Sequence, residues 1–485
     1  MLLGIDLGTG SVKVLLLSTD GAVIREASSP YSVKSPHPGW AETDPNEWWA
    51  AVAIGTRATV QDQANQIQAI GLSGQMHGIV LTDLAGTALR PAILWADTRS
   101  SAVLDAYRAL DSTLLNQLAN PITAGMAGAS LLWLRQFEPE IYATARWMLQ
   151  PKDWLRFRLT NEVATEPSDA SATLLYNVLK DSWANDVLEV LKLRSDGLAR
   201  LIPSSSIAGY LTDDAAAHLG LPAGLPVVAG AGDTAAAALG SGLLEPGLVQ
   251  LTVGSGAQIV TLRSHPTPDP HRQTHLYRSA LPHQWYTLAA MQNAGLALEW
   301  VRGILGLSWA EVYQAAFAVA SGCEGLTFLP YLTGERTPLL DPQARGAWVG
   351  LGLHHTQTHL MRAALEGVAF SLRQGLEAIA ATGIEVRELR LAGGGTLEPQ
   401  WQQLLADVLQ VPLRPVTVAS ASARGAAILA GIGIEVVNEA IALPKNSTPP
   451  DAVIRPNSPE HALEEAWQRY CSLYPALRQA VVGRE

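Results

Sequence analysis

The sequence predicts an α/β protein built from two related domains, and three observations support this fold class. Apolar strand-like runs alternate with amphipathic helical stretches along most of the chain. A strand, glycine turn and strand at residues 2–17 (the opening hairpin) are matched at residues 248–261 (the second hairpin), where LGTG corresponds to VGSG. The length of 485 residues suits two or three domains of roughly 150 residues each. We therefore expect a duplicated fold, divided between residues 244 and 245.

The composition excludes several classes of protein. The chain is 48% hydrophobic and has a formal charge of −11 without a cluster of Lys and Arg, which argues against nucleic acid or an anionic membrane as partner. Its two cysteines, Cys323 and Cys471, show no spacing typical of a disulfide framework or a zinc site. No uncharged apolar run reaches ~20 residues, and Asp6 interrupts the first one. The sequence thus predicts a cytoplasmic globular protein that is neither secreted nor membrane-spanning.

The opening hairpin has the features of a phosphate site. Gly8 lets the backbone approach a ligand closely, while Thr9 and Ser11 supply hydroxyl and N–H groups that can hold phosphate oxygens. Asp6 would lie beside that phosphate, where a metal ion is needed to balance its charge. Lys13 either reaches the phosphates as a point charge or is a solvated lysine on an edge strand. An ordinary tight hairpin with an Asp before its turn is the alternative interpretation of the whole stretch.

The first half continues with strands and helices in a definite order. A helix should begin at the N-cap residue Asp44, with Pro45 at its first position and Glu47 three residues after the cap. Asp233 follows a glycine loop and opens an alanine-rich helix, so a role as helix N-cap is its simplest interpretation. The other predicted elements are strands at residues 22–27, 67–72, 79–81 and 92–99, a mainly helical stretch at 101–220, and a short strand at 225–229.

The second half repeats this alternation after the second hairpin. A long helix is predicted from apolar residues spaced by 4, 3, 4 and 4 positions, which are Met361, Leu365, Val368, Leu372 and Leu376. A strand at residues 389–392, a glycine loop at 393–395 and a helix capped by Thr396 form a layout typical of nucleotide-binding proteins. The remaining elements are a helix at about 292–304, a polar Pro-rich loop at 329–338 and a structural helix at about 459–477.

Six motifs in a fixed order resemble those of the FGGY carbohydrate kinases, which belong to the sugar kinase, Hsp70 and actin superfamily. They are GIDLGT at 4–9, GQMHG at 74–78, RPAILW at 90–95, GAGD at 230–233, LPYL with GERTP at 329–338, and GGG at 393–395. The match covers nearly the whole chain. It implies two ribonuclease-H-like domains facing a central cleft, with residues 1–244 binding mainly sugar and residues 245–485 binding mainly ATP.

The resemblance also implies a reaction, the transfer of a phosphoryl group from MgATP to the terminal hydroxyl of a ketose such as D-xylulose. Asp233 would be the catalytic base. Asp6 and Asp233 would hold Mg²⁺. The implied sugar contacts are Gln75, Met76, His77, Trp95, Asp97, Asp233 and Thr234. The implied ATP contacts are Gly8, Thr9, Ser11, Lys13, Gly254, Ser255, Gln292, Gly295, Gly394, Gly395 and Gln400.

Several alternatives stay open at this point. His77 could be an ordinary buried histidine, and Asp97 could simply pair with Arg99. Thr234 and Ala96 stand where the family usually has Asn, so another ketose or a polyol, such as ribulose, remains an alternative substrate. From other classes, an actin-like or Hsp70-like ATPase and a non-catalytic sugar-binding regulator remain alternatives. A homodimer is also left open.

Overall fold

A computed structural model describes residues 1–443, 452–458 and 460–481. Strands of the first half are β1 (Leu2–Leu7), β2 (Ser11–Leu17), β3 (Val23–Pro30), β4 (Glu42–Thr43), β5 (Ala69–Gly74), β6 (Val80–Thr82), β7 (Ala92–Ile93), β8 (Trp147–Leu149), β9 (Ala164–Thr165), β10 (Tyr176–Asn177), β11 (Ser182–Trp183), β12 (Arg200–Leu201), β13 (Ile207–Tyr210), β14 (Pro226–Val228) and β15 (Ala231–Gly232). Its helices are α1 (Pro45–Val60), α2 (Asp105–Arg108), α3 (Ser112–Leu118), α4 (Ala127–Phe137), α5 (Pro139–Thr144), α6 (Pro151–Thr160), α7 (Pro167–Ala170), α8 (Asn185–Val190), α9 (Asp213–Leu219) and α10 (Asp233–Gly240).

The second half has fewer and longer elements. Its strands are β16 (Val249–Val253), β17 (Ala257–Arg263), β18 (His275–Arg278), β19 (Trp285–Met291), β20 (Thr327–Leu329), β21 (Ala347–Val349), β22 (Leu389–Ala392) and β23 (Leu413–Pro415). Its helices are α11 (Gly295–Leu305), α12 (Trp309–Ala316), α13 (Gln357–Ala381), α14 (Pro399–Leu409), α15 (Ala421–Gly433) and α16 (His461–Val481). Short 3₁₀ helices cover Gln61–Gln66, Arg99–Val103, Cys323–Gly325, Gly394–Thr396 and Glu439–Ala442. Within the described part of the chain, we find no helix whose length and apolar character would suit a bilayer span.

Two sheets with the same core arrangement form the centre of the molecule. The first sheet has the order β13-β14-β5-β1-β2-β3, with β15 also paired to β5, and the second has the order β18-β19-β17-β16-β22-β23. In each, an antiparallel hairpin is extended by a third antiparallel strand on one side and by a parallel strand on the other. The duplication predicted from the two hairpins is therefore present in the strand order.

Most elements predicted from the sequence occur close to their expected positions. Helix α1 begins at Pro45, and the Asp44 side chain accepts a hydrogen bond from Asn46 N at 2.9 Å. All five apolar residues predicted for the long helix are buried in α13, where they pack into the second core. The strand expected at residues 92–99 is limited to Ala92–Ile93, because the chain turns at Trp95 and Ala96, where Asp97 N donates to the Leu94 carbonyl at 3.0 Å.

The expected cap of α14 was wrong. Glu398 is the N-cap and Pro399 is the first helical residue, whereas Thr396 belongs to a preceding 3₁₀ turn. There, its hydroxyl donates to the Gly393 carbonyl at 2.8 Å. Thr396 therefore lies two residues before the N-cap, inside the preceding turn, and does not cap α14.

Helix α15 lies in the second half of the sequence but packs against β1 and β5 of the first sheet. Gly4 and Gly71 allow this close approach, because a Cβ atom at either position would overlap a backbone carbonyl oxygen, that of Ala423 or Ala426. Helix α10 crosses α15 with similar closeness, and residues of both helices share one apolar core with β17 and β19. The two halves are therefore interlocked, and α10, which begins at Asp233, lies at their crossing.

Candidate active site

Three parallel strand ends bring the two predicted catalytic carboxylates to one edge of the first sheet. Asp6 of β1 lies beside Ser73 of β5, and Ala231 of β15 lies on the other side of Ser73. Asp233 follows β15 directly as the first residue of α10. Because ligands of α/β sheets bind where the carboxyl ends of strands meet, this edge is the candidate active site.

Asp6 is held firmly at this edge. Its side chain is only 9% exposed and accepts a hydrogen bond from the Ser73 hydroxyl at 2.6 Å. Burial raises the pKa of Asp6, and the neighbouring Lys13 partly offsets that rise. Lys13 lies directly opposite Asp6 in the β1–β2 pair and is exposed. Since β2 pairs with both β1 and β3, Lys13 does not lie on an edge strand.

The turn of the opening hairpin is fixed by its own backbone and by nearby side chains. Gly8 N donates to the Ser11 carbonyl at 3.1 Å, which closes the turn. The Gly8 carbonyl accepts hydrogen bonds from the Tyr31 hydroxyl and from Gln75 Nε2. The hydroxyl of Thr9 accepts from Trp95 Nε1 at 2.8 Å. The turn that we expect to hold phosphate is thus ordered by Tyr31, which follows β3, and by the segments that follow β5 and β7.

Asp233 has the electrostatic properties of a general base. Its carboxylate accepts hydrogen bonds from Thr234 N at 2.6 Å and from the Thr234 hydroxyl at 3.2 Å. Burial, followed by repulsion from Asp6, raises the pKa of Asp233 to about 7. Gly232, rather than Asp233, is the helix N-cap residue, so the simple capping role is not what the structure shows. A carboxyl with this pKa can accept a proton near neutral pH.

The raised pKa of Asp233 predicts a pH-dependent cost in stability. Between about pH 4 and pH 7 the native carboxyl holds its proton while the unfolded one has lost it, so the free energy of unfolding decreases as the pH rises and levels off above 7. We expect Asp233→Asn to remove this dependence. The ligand-free variant should exceed the wild type in stability by on the order of 1–3 kcal/mol above pH 7. Urea unfolding at pH 5, 6, 7 and 8 measures the difference, and a pH-independent difference would contradict the assignment.

The segment after β5 supplies one candidate sugar contact and two supporting residues. His77 has a positive φ of 73° and is 9% exposed. Its Nδ1 lies 2.7 Å from the Ala172 carbonyl, which can only accept, so Nε2 is left as an acceptor. Burial, followed by the charge of Arg336, lowers the pKa of His77 to about 4. His77 is therefore a neutral imidazole at physiological pH.

Gln75 and Met76 are buried beneath the active-site edge. Gln75 is 1% exposed, and its Nε2 donates to the Gly8 carbonyl at 3.2 Å. Met76 is 4% exposed and packs against Gly232, with its sulfur 3.6 Å from the Tyr286 hydroxyl. These contacts support the opening hairpin and the backbone that precedes Asp233.

Trp95 and Asp97 differ in their access to a ligand. Trp95 is 36% exposed beside the opening hairpin. Asp97 is 1% exposed, and its carboxylate accepts from Ala41 N at 2.6 Å and from Arg99 Nη2 at 2.7 Å. Arg99 continues this network to Glu42 at 2.7 Å. The alternative in which Asp97 pairs with Arg99 is the one that the structure shows, and this leaves Asp97 poorly placed to bind sugar.

The glycine and serine residues of the second half that are expected to contact ATP lie at the equivalent edge of the second sheet. The Gly254 carbonyl accepts from Gly295 N at 3.0 Å, and the Ser255 carbonyl accepts from Ala294 N at 3.1 Å, so the start of α11 lies on the second hairpin. Gly393, with a φ of 102°, passes so close to Val253 that a Cβ would overlap its carbonyl. The hairpin, the loop from Gln292 to Gly295 and the loop containing Gly394 and Gly395 are therefore neighbours.

A cavity of about 520 Å³ lies between α12 and the start of α14. Its lining includes Tyr313, Phe317, Glu398 and Gln400. Two aromatic side chains beside polar groups are suited to a flat heterocycle with hydrogen-bonding edges. Of these four residues, only Gln400 is singled out by the sequence.

Sequence reasoning missed a fully buried charge cluster beneath Asp233. Lys152 lies 2.7 Å from Asp153, 3.4 Å from Glu166 and 3.4 Å from Asp169, and all four side chains are 0% exposed. Nearby, Gly232 N donates to the Ser168 hydroxyl at 3.0 Å. The Ser168 hydroxyl in turn donates to Glu166 of the cluster at 2.9 Å, so the cluster supports the backbone immediately before Asp233. The adjacent Lys152 and Asp153 at the start of α6 were the available signal.

A second missed group connects the two halves near His77. Arg336 Nη2 donates to His275 Nε2 at 2.9 Å, and the other ring nitrogen of His275 lies 2.7 Å from the Tyr277 hydroxyl. The Tyr277 ring lies 5.9 Å from that of His77. The sequence alone assigns no role to the GERTP motif at residues 334–338. In the structure, Arg336 of this motif lies near His77, the candidate sugar contact.

Comparisons with known proteins agree with this architecture. The model of the FGGY family of carbohydrate kinases, N-terminal domain, matches residues 1–240, and that of the C-terminal domain matches residues 249–434. The chain is 37% identical to xylulose kinase of Escherichia coli, with 84% of each chain covered. It is 29% identical to gluconokinase of Bacillus subtilis, with 88% of this chain and 86% of the relative covered. A crystal structure of a xyloylose kinase from Brucella ovis superposes with a TM-score of 0.91 at 34% identity, covering 99% of both chains.

Proposed function

The chain belongs to the FGGY family of carbohydrate kinases, and from this premise we propose that it transfers the γ-phosphate of ATP to the terminal hydroxyl of D-xylulose, giving D-xylulose 5-phosphate and ADP. The choice of sugar comes from the relatives named xylulose kinase, which are 31–37% identical over most of this chain. The observation that carries the chemistry is the position of the Asp233 carboxylate, which Thr234 holds at the strand edge beside Asp6.

Asp233 is the general base in this proposal. As the terminal hydroxyl oxygen of the sugar forms its bond to the γ-phosphorus, the bond from phosphorus to the β–γ bridging oxygen breaks and ADP leaves. The hydroxyl proton passes to the Asp233 carboxylate, which Thr234 holds in place through two hydrogen bonds. Such general-base assistance contributes roughly 10²- to 10⁴-fold to the rate. The remaining acceleration comes from positioning and charge stabilisation, as in phosphoryl transfer generally.

The carboxylates present fit the Mg²⁺ that this family implies. Asp6 and Asp233 lie at one strand edge on either side of Ser73, and burial followed by the charge of Asp6 raises the pKa of Asp233, so a shared cation would relieve the repulsion. Oxygen ligands from one or two carboxylates, with water completing the shell, are typical of Mg²⁺ sites. We propose that Asp6 and Asp233 hold the ion. When bound, it would neutralise charge on the phosphates.

The sugar would lie between Asp233, the exposed face of Trp95 and His77. The neutral His77 imidazole accepts a hydrogen bond at Nε2, which suits a sugar hydroxyl. Asp97 is excluded from this contact set because Arg99 and Ala41 occupy its carboxylate. The ATP phosphates would lie between the opening and second hairpins, near Thr9, Ser11 and Lys13 on one side and Gly254 and Ser255 on the other.

The adenine base would occupy the cavity beside α12, next to the loop of Gly394 and Gly395. We expect Tyr313→Ala to raise the KM for ATP about ten-fold, because one aromatic–base stacking contact contributes ~1–3 kcal/mol. The KM for the sugar should change little. Steady-state kinetics with each substrate varied in turn measures both constants. Tyr210→Ala, at a tyrosine that is 59% exposed on β13, is the matched control, and an unchanged KM for ATP in Tyr313→Ala would place the base elsewhere.

Gluconate is a second candidate substrate, and Arg336 is the observation that favours it. Its guanidinium lies near His77 and could pair with a carboxylate, which gluconate carries and D-xylulose lacks. The gluconokinase relative is 29% identical to this chain. The two candidates share the chemistry proposed for Asp233 and differ only in what lies at the far end of the sugar.

The proposed function is tested by ADP release with MgATP over D-xylulose, D-ribulose, L-ribulose, L-xylulose, D-arabitol, glycerol and D-gluconate. The expected result is the highest kcat/KM on D-xylulose and little ADP release without sugar. Preference for gluconate or for another sugar would keep the mechanism and change the substrate. Sugar-independent ADP release would favour an ATPase, and binding of sugar without turnover would favour a regulator.

A further inference from the structure

A cluster of imidazole and carboxylate groups lies in the second half of the chain and includes none of the residues assigned to the candidate active site. Glu324 belongs to the short 3₁₀ helix Cys323–Gly325. His354 and His355 lie in the exposed loop between β21 and α13, and His359 lies in the first turn of α13. The cluster therefore joins a turn near β20 to the start of the longest helix.

The distances within the cluster suit a shared ligand. Glu324, His354 and His355 each place one potential metal-binding atom within 4.8 Å of the other two. His354 Nε2 lies 3.3 Å from one carboxylate oxygen of Glu324, and His359 Nε2 lies 3.9 Å from the other. The rings of His354 and His355 have centroids 4.1 Å apart. Metal bonds of ~2.0–2.2 Å to one shared ion require the side chains to rotate toward it from these separations.

One atom of the cluster lacks the partner that a buried polar group normally has. His355 Nε2 is buried and has no hydrogen-bond partner within the described part of the chain. The ring itself is oriented by a hydrogen bond from Gly352 N to His355 Nδ1 at 2.8 Å. Buried polar atoms without partners are few in folded proteins, and once the ring proton moves to Nδ1 this nitrogen has a lone pair that a metal ion can bind.

We propose that Glu324, His354 and His355 bind a divalent transition-metal ion such as Zn²⁺, with water completing the coordination. Imidazole nitrogens with one carboxylate favour Zn²⁺, Co²⁺, Ni²⁺ or Cu²⁺, whereas Mg²⁺ requires an oxygen shell. The site is therefore chemically distinct from the one proposed for Mg²⁺ at Asp6 and Asp233. Its role is structural, because the ion would connect the Glu324 turn to the start of α13.

Binding has a proton balance that makes it depend on pH. Gly352 N donates to His355 Nδ1, so the neutral ring carries its proton on Nε2. When Nε2 binds the metal, it releases that proton to solvent and Nδ1 takes one up. The Gly352 N–H then loses its acceptor on the ring and donates to water instead, since its loop is exposed. A metal ion binds imidazole only through an unprotonated ring nitrogen, so protons compete with the metal for the same atoms. Affinity should therefore fall as the pH is lowered.

The test is calorimetric titration of Zn²⁺ into the untagged, chelator-treated full chain at pH 7.5, with the visible absorption of bound Co²⁺ as a second readout. We expect one saturable site, and affinity reduced about ten-fold or more in Glu324→Gln and in His354→Gln. Both side chains are more than half exposed, at 56% and 58%, so folding should be retained, and urea unfolding in EDTA checks this.

His461→Gln is the matched control. His461 lies 3.2 Å from Glu465 on α16 and so offers the same two ligand types, but it does not belong to the cluster. This variant should bind Zn²⁺ like the wild type. Either the absence of a saturable site in the wild type or unchanged affinity in both cluster variants would overturn the proposal.

Discussion

Asp233→Asn is expected to reduce kcat for sugar-dependent ADP release by about 10³-fold or more, because the amide cannot accept the hydroxyl proton during phosphoryl transfer. The substitution keeps the size of the side chain and an oxygen that can accept from Thr234 N. Binding of the sugar should therefore persist, and calorimetry should detect it. The predicted separation of binding from turnover distinguishes loss of the base from loss of the site.

Asp213→Asn provides the matched comparison for this variant. Asp213 is also the first residue of a helix, α9, but it is exposed and does not belong to the strand edge that carries Asp6 and Asp233. Its substitution should leave kcat unchanged. If Asp233→Asn kept more than about a tenth of wild-type turnover, the base would have to be another group.

The opening hairpin could be predicted in detail because its determinants are local. The alternating and buried apolar residues, the glycines of the turn and the position of Asp6 are all encoded within sixteen residues, and the structure has β1 and β2 at those positions. The motif at residues 230–233 was also sufficient to locate Asp233 between a glycine loop and a helix. In both cases the backbone conformation depends on neighbours in the sequence.

Residues whose partners are distant in the sequence were harder to interpret. The sequence neighbours of Asp97 could not show whether it contacts a ligand or forms an ion pair. Its environment also includes Ala41 and, through Arg99, Glu42. The support of Gly232 by Ser168 likewise depends on segments that lie 64 positions apart. Such contacts arise from tertiary packing, which a local pattern does not encode.

The position of α15 is the clearest example of this limit. Its apolar residues and small side chains are compatible with a helix, but no local pattern places that helix against the first sheet. Placement depends on the matching glycines of β1, β5 and α10, whose closeness to α15 only the assembled structure shows. The packing joins the carboxyl-terminal half directly to the helix that begins at Asp233, so the two halves share the support of the base.

This packing predicts that Gly71→Ala destabilises the protein severely. Gly71 lies in the middle of β5, and an added Cβ would overlap the Ala426 carbonyl oxygen of α15. A backbone atom cannot rotate away as a side chain can, so the helix has to shift from the sheet. We expect a loss of about 3 kcal/mol or more in the free energy of unfolding, measured by urea denaturation, or failure to accumulate as soluble protein.

Gly303→Ala is the control that separates this overlap from the general effect of replacing glycine. Gly303 lies within α11 and is exposed, and a Cβ atom added there would have no neighbouring atom within 4 Å. Alanine there should raise stability by roughly 0.5–1 kcal/mol, because it favours the helix over the unfolded chain. Gly425→Ala, where the overlap is with the Ala236 carbonyl of α10, should resemble Gly71→Ala and also lower turnover, since α10 carries Asp233. If both close-contact variants unfolded at the wild-type urea concentration, α15 would not be clamped between the first sheet and the catalytic helix, and the interlocking of the two halves would have to be abandoned.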